Sequence, residues 1–95
     1  MIIYEVNIEV EKQIEEQFLS WLKDHITEVC QVGGFNSAQI FRVANQESSF
    51  SVHYSIENRD KLEIYPKNHA PKLRQKGIDQ FGDRFKATRS ILDLI

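Results

Sequence analysis

The sequence predicts an α+β fold in a single domain, residues 1–95, with helices covering one face of a four-stranded antiparallel sheet. A chain of 95 residues has room for only one hydrophobic core. Segments in which apolar residues alternate with polar ones are interspersed with segments of helical periodicity, in the order strand, helix, strand, strand, helix, strand. With 41% hydrophobic and 27% charged residues, the composition is that of an ordinary globular protein.

The first half of the chain predicts three strands and one long helix. Ile2 to Val10 alternates apolar and polar side chains, which is typical of a half-buried strand. Lys12 to Cys30 carries apolar side chains at helical spacing, and Gly33-Gly34 is expected to end this helix because glycine accepts the left-handed conformation. Ala38 to Ala44 and Phe50 to Ile56 predict two strands joined by a polar hairpin loop.

The second half predicts a helix broken in two, then a last strand. Asn58 is a good N-cap for the first piece, and Pro66 must stop or kink it because proline removes a backbone hydrogen bond. Pro71 favours a new helix that runs to about Gln80, and Arg84 to Leu94 alternates as a strand. The whole order is that of a ferredoxin-like βαββαβ sandwich, in which the first and third strands are central neighbours.

Charge and cysteine content narrow the function classes. A net charge of −2 and a pI near 5.9 argue against nucleic-acid binding, and Glu5 and Glu9 on a central strand argue against an RNA-binding sheet. No apolar run approaches the ~18 residues that cross a bilayer, so no membrane association is expected. The single Cys30 fits a reducing compartment, and a cytoplasmic location is predicted.

One candidate site is the polar face of the predicted sheet. If the first and third strands are neighbours, Glu5 and Asn7 lie beside Ser51 and His53. A histidine oriented by a carboxylate can act as a general base, which makes His53 and Glu5 candidate catalytic residues. The alternative is that this face simply meets water or a hydrated dimer interface.

A second candidate site surrounds the broken helix, where His69 is a further candidate base. Arg74, Arg84 and Arg89 could hold a carboxylate or phosphate by two-point hydrogen bonding. Alternatively these arginines form ordinary surface pairs with aspartates. Arg89 is the most notable of the three because it is in phase with Phe85 and other apolar residues of the last strand, and should therefore point to the apolar side.

Aromatic side chains suggest a cavity between the sheet and the helices. Trp21 and Tyr54, together with Tyr4 and Tyr65, could line such a cavity, although aromatic residues in these positions are more often plain core. His25 is interpreted as a half-buried helix residue rather than a ligand. Three scattered histidines and one cysteine have no metal-site spacing, and no cofactor is predicted.

The residues also resemble a known bacterial family, the domain of unknown function 4286. The likeness covers nearly the whole chain and is carried by these segments: His25-Ile26, Gly34-Phe35, Arg42-Val43, His69-Ala70-Pro71, Leu73-Arg74, Phe81-Gly82, Arg84-Phe85 and Arg89. The chain departs from the family at Thr27, where proline is usual, at Pro66, and at Gly77-Ile78. These departures bear on the shape of the second helical region rather than on the fold.

The resemblance implies a homodimer and leaves the activity open. The family is grouped with the dimeric α/β barrels, in which two ferredoxin-like sheets pair, and which include cofactor-free monooxygenases, isomerases and haem-dependent enzymes. The leading functional hypothesis is a binding or regulatory module with a small pocket between sheet and helices. The alternative is a cofactor-free enzyme acting on a small acidic or aromatic molecule, with His53 or His69 as base and Arg89 holding an anion.

Overall fold

A computed structural model describes residues 1–62 and 70–95 and confirms the predicted order of elements. Residues 59–62 are also helical. None of the helices in these two ranges is both long and apolar enough to cross a membrane. The elements are β1 (Ile2–Val10), a 3-10 turn (Lys12–Ile14), α1 (Glu15–Gly33), β2 (Ser37–Arg42), β3 (Ser49–Ile56), α2 (Ala70–Phe81) and β4 (Phe85–Asp93).

The four strands form one antiparallel sheet in the order β2-β3-β1-β4. The two central strands are β1 and β3, as the sequence predicts. Val6 of β1 lies opposite Val52 of β3 on one side and Arg89 of β4 on the other. This register places the even-numbered residues of β1 and β3 on one face of the sheet. Most of the core residues that the sheet contributes are among them.

Helix α1 covers that face with its apolar stripe. Phe18, Leu22, Ile26 and Val29 are all buried, as their helical spacing predicts. The helix continues three residues beyond the predicted end at Cys30, because Gly33 remains helical. Only Gly34, with φ 70°, adopts the left-handed conformation that ends the helix, and its N–H bonds to the Cys30 carbonyl.

The hairpin between β2 and β3 differs slightly from prediction. Strand β2 spans Ser37–Arg42 instead of 38–44, and Val43 and Ala44 belong to the connection. Asn45 and Ser48 both have positive φ, at 65° and 56°, so the chain turns with two left-handed residues. The turn therefore begins earlier than the alternation of residues indicates.

The second helical region is partly described. Asn58 is an N-cap, as predicted: its Oδ1 accepts a hydrogen bond from the Lys61 backbone N–H at 3.0 Å. Leu62 is buried in the core. The predicted break at Pro66, together with Tyr65 and His69, lies outside the described residues.

Candidate functional site

A cavity of about 260 Å³ lies between the helix-facing side of the sheet and helices α1 and α2. Its walls are mostly apolar, with side chains contributed by three strands and both helices. The volume lies just below the range usual for ligand pockets and suits a single-ring molecule. Among the described residues of its lining, those that carry polar atoms on the side chain are Tyr4, Trp21, His25, Tyr54, Arg74 and Arg89.

Aromatic rings of α1 and β4 form one wall of the cavity, and Phe81 of α2 packs against them. Phe18 is almost fully buried, and its ring centroid lies 5.6 Å from that of Trp21, 5.2 Å from Phe81 and 5.2 Å from Phe85. These distances are typical of favourable tilted and edge contacts between aromatic rings. The cluster holds Trp21 in place. His25 follows on the same face of α1, and its imidazole stacks on the indole, so its position is fixed as well.

Gly77 of α2 allows this wall to form. A Cβ atom at this position would lie 3.0 Å from Cη2 of Trp21 and 3.1 Å from Cζ of Phe85. Real Cβ atoms rarely approach so closely, so any larger residue would have to displace one of the two rings. Glycine inside a helix is usually unfavourable, and here the close approach of the indole and phenyl rings explains it.

The two arginines of the cavity differ from the other three in the chain. Arg42 pairs with Glu15 at 3.4 Å, Arg84 with Glu11 at 2.8 Å, and Arg59 with Asp93. Within the described residues, Arg74 and Arg89 have no ion pair.

None of the described residues that line the cavity is acidic, so this part of the lining offers no carboxylate to neutralise the two arginines. Arg74 reaches the cavity from α2 and Arg89 from β4. Arg89 does lie on the helix-facing side, as predicted, but both guanidinium-bearing residues are exposed. Each charge therefore stays hydrated at the cavity mouth and avoids the cost of burial.

Among the described histidines, His25 and His53, only His25 lines this cavity. Burial lowers the pKa of His25 below its ordinary value of 6.5, and the positive charges of Lys76 and Arg89 act in the same direction. Glu28 opposes them with a smaller effect than burial. The imidazole is therefore neutral at pH 7, with one ring nitrogen available as an acceptor.

The opposite face of the sheet carries a separate polar cluster. His53 Nε2 lies 2.9 Å from Glu5 Oε2, and Asn7 Nδ2 donates to Glu5 Oε1 at 3.0 Å. The Phe41 ring lies beside the imidazole, with centroids 5.0 Å apart. At the centre of this face, the Ser51 hydroxyl is buried without a hydrogen-bond partner among the described residues.

The predicted site residues therefore fall into separate groups. Trp21, Tyr54, Arg74 and Arg89 line the cavity, whereas Arg84 is in a surface ion pair with Glu11. Glu5 and His53 do contact each other, but they face away from the cavity because odd-numbered residues of β1 and β3 point to the other side of the sheet. His53 therefore does not meet Arg89, as one form of the enzyme hypothesis required, and the other candidate base, His69, lies outside the described residues.

His25 is a half-buried residue of α1, as predicted, but its place in the cavity lining was not predicted. It lies four positions after Trp21, so the two side chains share one face of α1. That spacing was a usable signal, although the presence of a cavity beside the pair depends on α2 and β4.

Comparison with solved structures finds proteins of the same fold. A putative antibiotic biosynthesis monooxygenase from Bordetella bronchiseptica superposes with a TM-score of 0.75 at 14% identity, covering 99% of this chain and 97% of that one. A single-site mutant of SnoaB, a cofactor-independent oxygenase from Streptomyces nogalater, gives 0.72 at 10%, covering 98% and 92%. A dimeric ferredoxin-like protein from an uncultured marine organism gives 0.64 at 13%, covering 99% and 94%.

These superpositions establish the ferredoxin-like fold. A comparison with curated protein sequences gave no significant match. One family profile, described as a domain of unknown function, matches the chain from residue 1 to residue 95. The family resemblance carried by the histidine, glycine and arginine segments is thereby confirmed, and the chain belongs to the DUF4286 family.

Proposed function

We propose that the protein binds a small aromatic carboxylate in the cavity between the sheet and the helices. The observation that carries the proposal is that the two arginines without an ion pair in the described residues, Arg74 and Arg89, both line this one cavity. The apolar and aromatic walls suit a ring, and a guanidinium suits the two oxygens of a carboxylate.

The cavity geometry supports an anion over a cation or a neutral ligand. A cation would find no described acidic residue in the lining to neutralise it. A neutral ring would fill the apolar part and leave both guanidinium groups paired only with water. A carboxylate satisfies one guanidinium by charge-assisted hydrogen bonds, which are the strongest that side chains make.

The test compares phenylacetate with phenylacetamide, which has the same shape and no charge. We expect phenylacetate to raise the melting temperature, since a ligand at 100 times its Kd stabilises the folded state by about 2.7 kcal/mol. Phenylacetamide should give a much smaller rise. Equal shifts for the two compounds, or none for a set of aromatic acids, would contradict the proposal.

Variants of three arginines locate the binding site. Arg74→Gln and Arg89→Gln should each reduce the phenylacetate shift, because each removes a guanidinium from the cavity. Arg84→Gln is the matched control, since Arg84 pairs with Glu11 elsewhere on the surface and should leave the shift unchanged. If Arg89→Gln behaves like Arg84→Gln, Arg89 has no part in binding.

We also propose that a second copy of this chain covers the other face of the sheet. In the described residues no helix packs on that face, and Phe41 and Leu92 there are 44% and 41% exposed. Glu5 and His53 lie between them in a half-buried pair that needs no partner from outside. The same fold occurs in a protein described as dimeric, which supports the proposal.

Light scattering at micromolar concentration tests the dimer. We expect twice the mass of the chain for the unaltered protein and a shift toward the monomer for Phe41→Lys. Val32→Lys is the control, because Val32 is similarly exposed, at 41%, but lies on α1. A monomer mass for the unaltered protein would refute the dimer.

A further inference from the structure

We propose that this cavity catalyses proton transfer at carbon, with the His25 imidazole as the proton acceptor and the Arg89 guanidinium stabilising the oxyanion that forms. This inference rests on the proposed binding of an aromatic carboxylate and adds to it a reaction and a substrate class. The substrate class is an aryl-substituted 2-oxo acid with a hydrogen on the carbon next to its carbonyl group.

The position of His25 is the first ground. Its side chain lines the cavity and stacks on Trp21, with ring centroids 4.5 Å apart and an interplanar angle of 17°. Trp21 is in turn held by Phe18 and by an edge contact with Phe81 at 5.5 Å. The imidazole therefore has a fixed ring plane beside the space where a ligand would sit, which is what an acceptor in proton transfer needs.

The charges around His25 are the second ground. Glu28 faces it from the same helix, Lys76 from α2 and Arg89 from β4. Glu28 and Lys76 pair with each other at 2.7 Å, whereas Arg89 has no ion pair with any residue that the structure describes. Because burial lowers the pKa of His25, the neutral imidazole predominates at pH 7 and can accept a proton, and a positive group is already present for negative charge that develops nearby.

The third ground is that the two arginines of the cavity belong to different elements of the fold. Arg74 belongs to α2 and Arg89 to β4, so a substrate with two oxygen-bearing groups can meet one guanidinium with each. A 2-oxo acid has these two groups, a carboxylate and a carbonyl oxygen. Arg74 then binds the carboxylate, and Arg89 is left for the carbonyl oxygen.

The reaction balances without any other reactant. The C–H bond next to the carbonyl breaks, and its proton forms an N–H bond on the imidazole. The electron pair of the broken C–H bond forms a C=C bond. The π electron pair of the carbonyl group moves to the oxygen and gives an enolate beside Arg89. The imidazolium then returns the proton to this oxygen, and the net change is the conversion of a keto acid into its enol.

The experiment uses the full chain with phenylpyruvate and benzoylformate as probes. Both are aromatic 2-oxo acids, but only phenylpyruvate has a hydrogen on the carbon next to the carbonyl. Exchange of this hydrogen for deuterium is followed by NMR in D2O, and binding of both acids is measured by thermal shift. We expect both to bind and the protein to accelerate exchange over buffer.

The His25→Gln variant separates catalysis from binding. It should still bind benzoylformate while losing about 10²-fold or more of the exchange rate, the usual contribution of a general base. Binding by the unaltered protein without accelerated exchange would overturn this inference and leave the proposed function intact. If neither 2-oxo acid binds while phenylacetate does, this inference is overturned and the proposed function stands; if phenylacetate also fails to bind, both are overturned. A His25→Gln variant as active as the parent would remove His25 from the reaction.

A pH profile provides a second test that does not depend on how the variant folds. The exchange rate of the unaltered protein should rise with pH and level off once His25 is neutral. Its midpoint should coincide with the pKa of His25 measured by NMR titration. A midpoint that does not coincide with that pKa would overturn the role of His25.

Discussion

The Trp21 indole and the His25 imidazole stack one helical turn apart on α1, with ring centroids separated by 4.5 Å. The pair forms part of the cavity wall, and the indole shields one face of the imidazole from water. Because burial is the largest cause of the lowered pKa of His25, this stack links the aromatic packing of the wall to the charge state of the histidine.

Replacing Trp21 with leucine should raise the pKa of His25 toward 6.5, because water would then reach the face of the imidazole that the indole now covers. The free energy of unfolding should fall by about 1–3 kcal/mol, less than the 3–5 kcal/mol typical of truncating an aromatic residue to alanine. NMR titration of the His25 ring protons measures the first effect and urea unfolding the second. An unchanged His25 pKa would show that Trp21 does not shield the ring.

His25 should make the protein less stable at acidic pH. Its pKa is lower in the folded protein than in the unfolded chain, so the unfolded state binds more protons as the pH falls through 6.5. The free energy of unfolding therefore decreases from about pH 7 downward, and this contribution stops changing below the lowered pKa of the folded state.

The variant His25→Gln should lose this part of the pH dependence. Urea unfolding at several pH values between 7 and 5 measures it as a difference in slope from the unaltered protein. His53→Gln is the comparison, since it removes a histidine that contacts Glu5 on the other face of the sheet. This variant should keep the contribution of His25 to the pH dependence. If the slope of His25→Gln equals that of the unaltered protein, His25 is not the group responsible.

Two glycine-to-alanine variants should have different consequences. Gly77→Ala places a methyl group against Trp21 and Phe85 and should weaken phenylacetate binding, because one of these rings must move within the cavity wall. Its gain in helix propensity, up to about 1 kcal/mol, is offset by this displacement.

Gly34→Ala is the matched control. No atom lies within 4 Å of the added methyl group, but the left-handed φ of 70° strains any residue with a Cβ, at a cost of about 1–2 kcal/mol. This variant should lose stability and keep its affinity for phenylacetate. Loss of affinity in Gly34→Ala, or full affinity in Gly77→Ala, would contradict the assignment of Gly77 to the cavity wall.

Cys30 should react slowly with iodoacetamide in the folded protein. Its side chain is half-buried against the core, and burial raises the pKa of the thiol, so little of the reactive thiolate forms at pH 7. Adding urea to unfold the chain should accelerate alkylation markedly, as followed by mass spectrometry. Equal rates in the two states would contradict the placement of Cys30.

Local patterns in the sequence determined the order of the elements and most of their bounds. The alternation along β1 and β3 predicts which side chains are buried, because successive residues of a strand point to opposite faces. The stripe from Phe18 to Val29 does the same for α1. The phase of Arg89 with Phe85 also predicts its side of the sheet. Each of these features depends on neighbours a few residues away.

The candidate site depended instead on contacts between distant parts of the chain. That His25 shares a cavity with Arg89 is decided by the way α1 and α2 pack on the sheet. The pairing of Arg84 with Glu11, 73 positions earlier, leaves Arg74 and Arg89 as the arginines of the cavity. Such pairings follow from the tertiary packing, because no short-range periodicity relates residues that far apart.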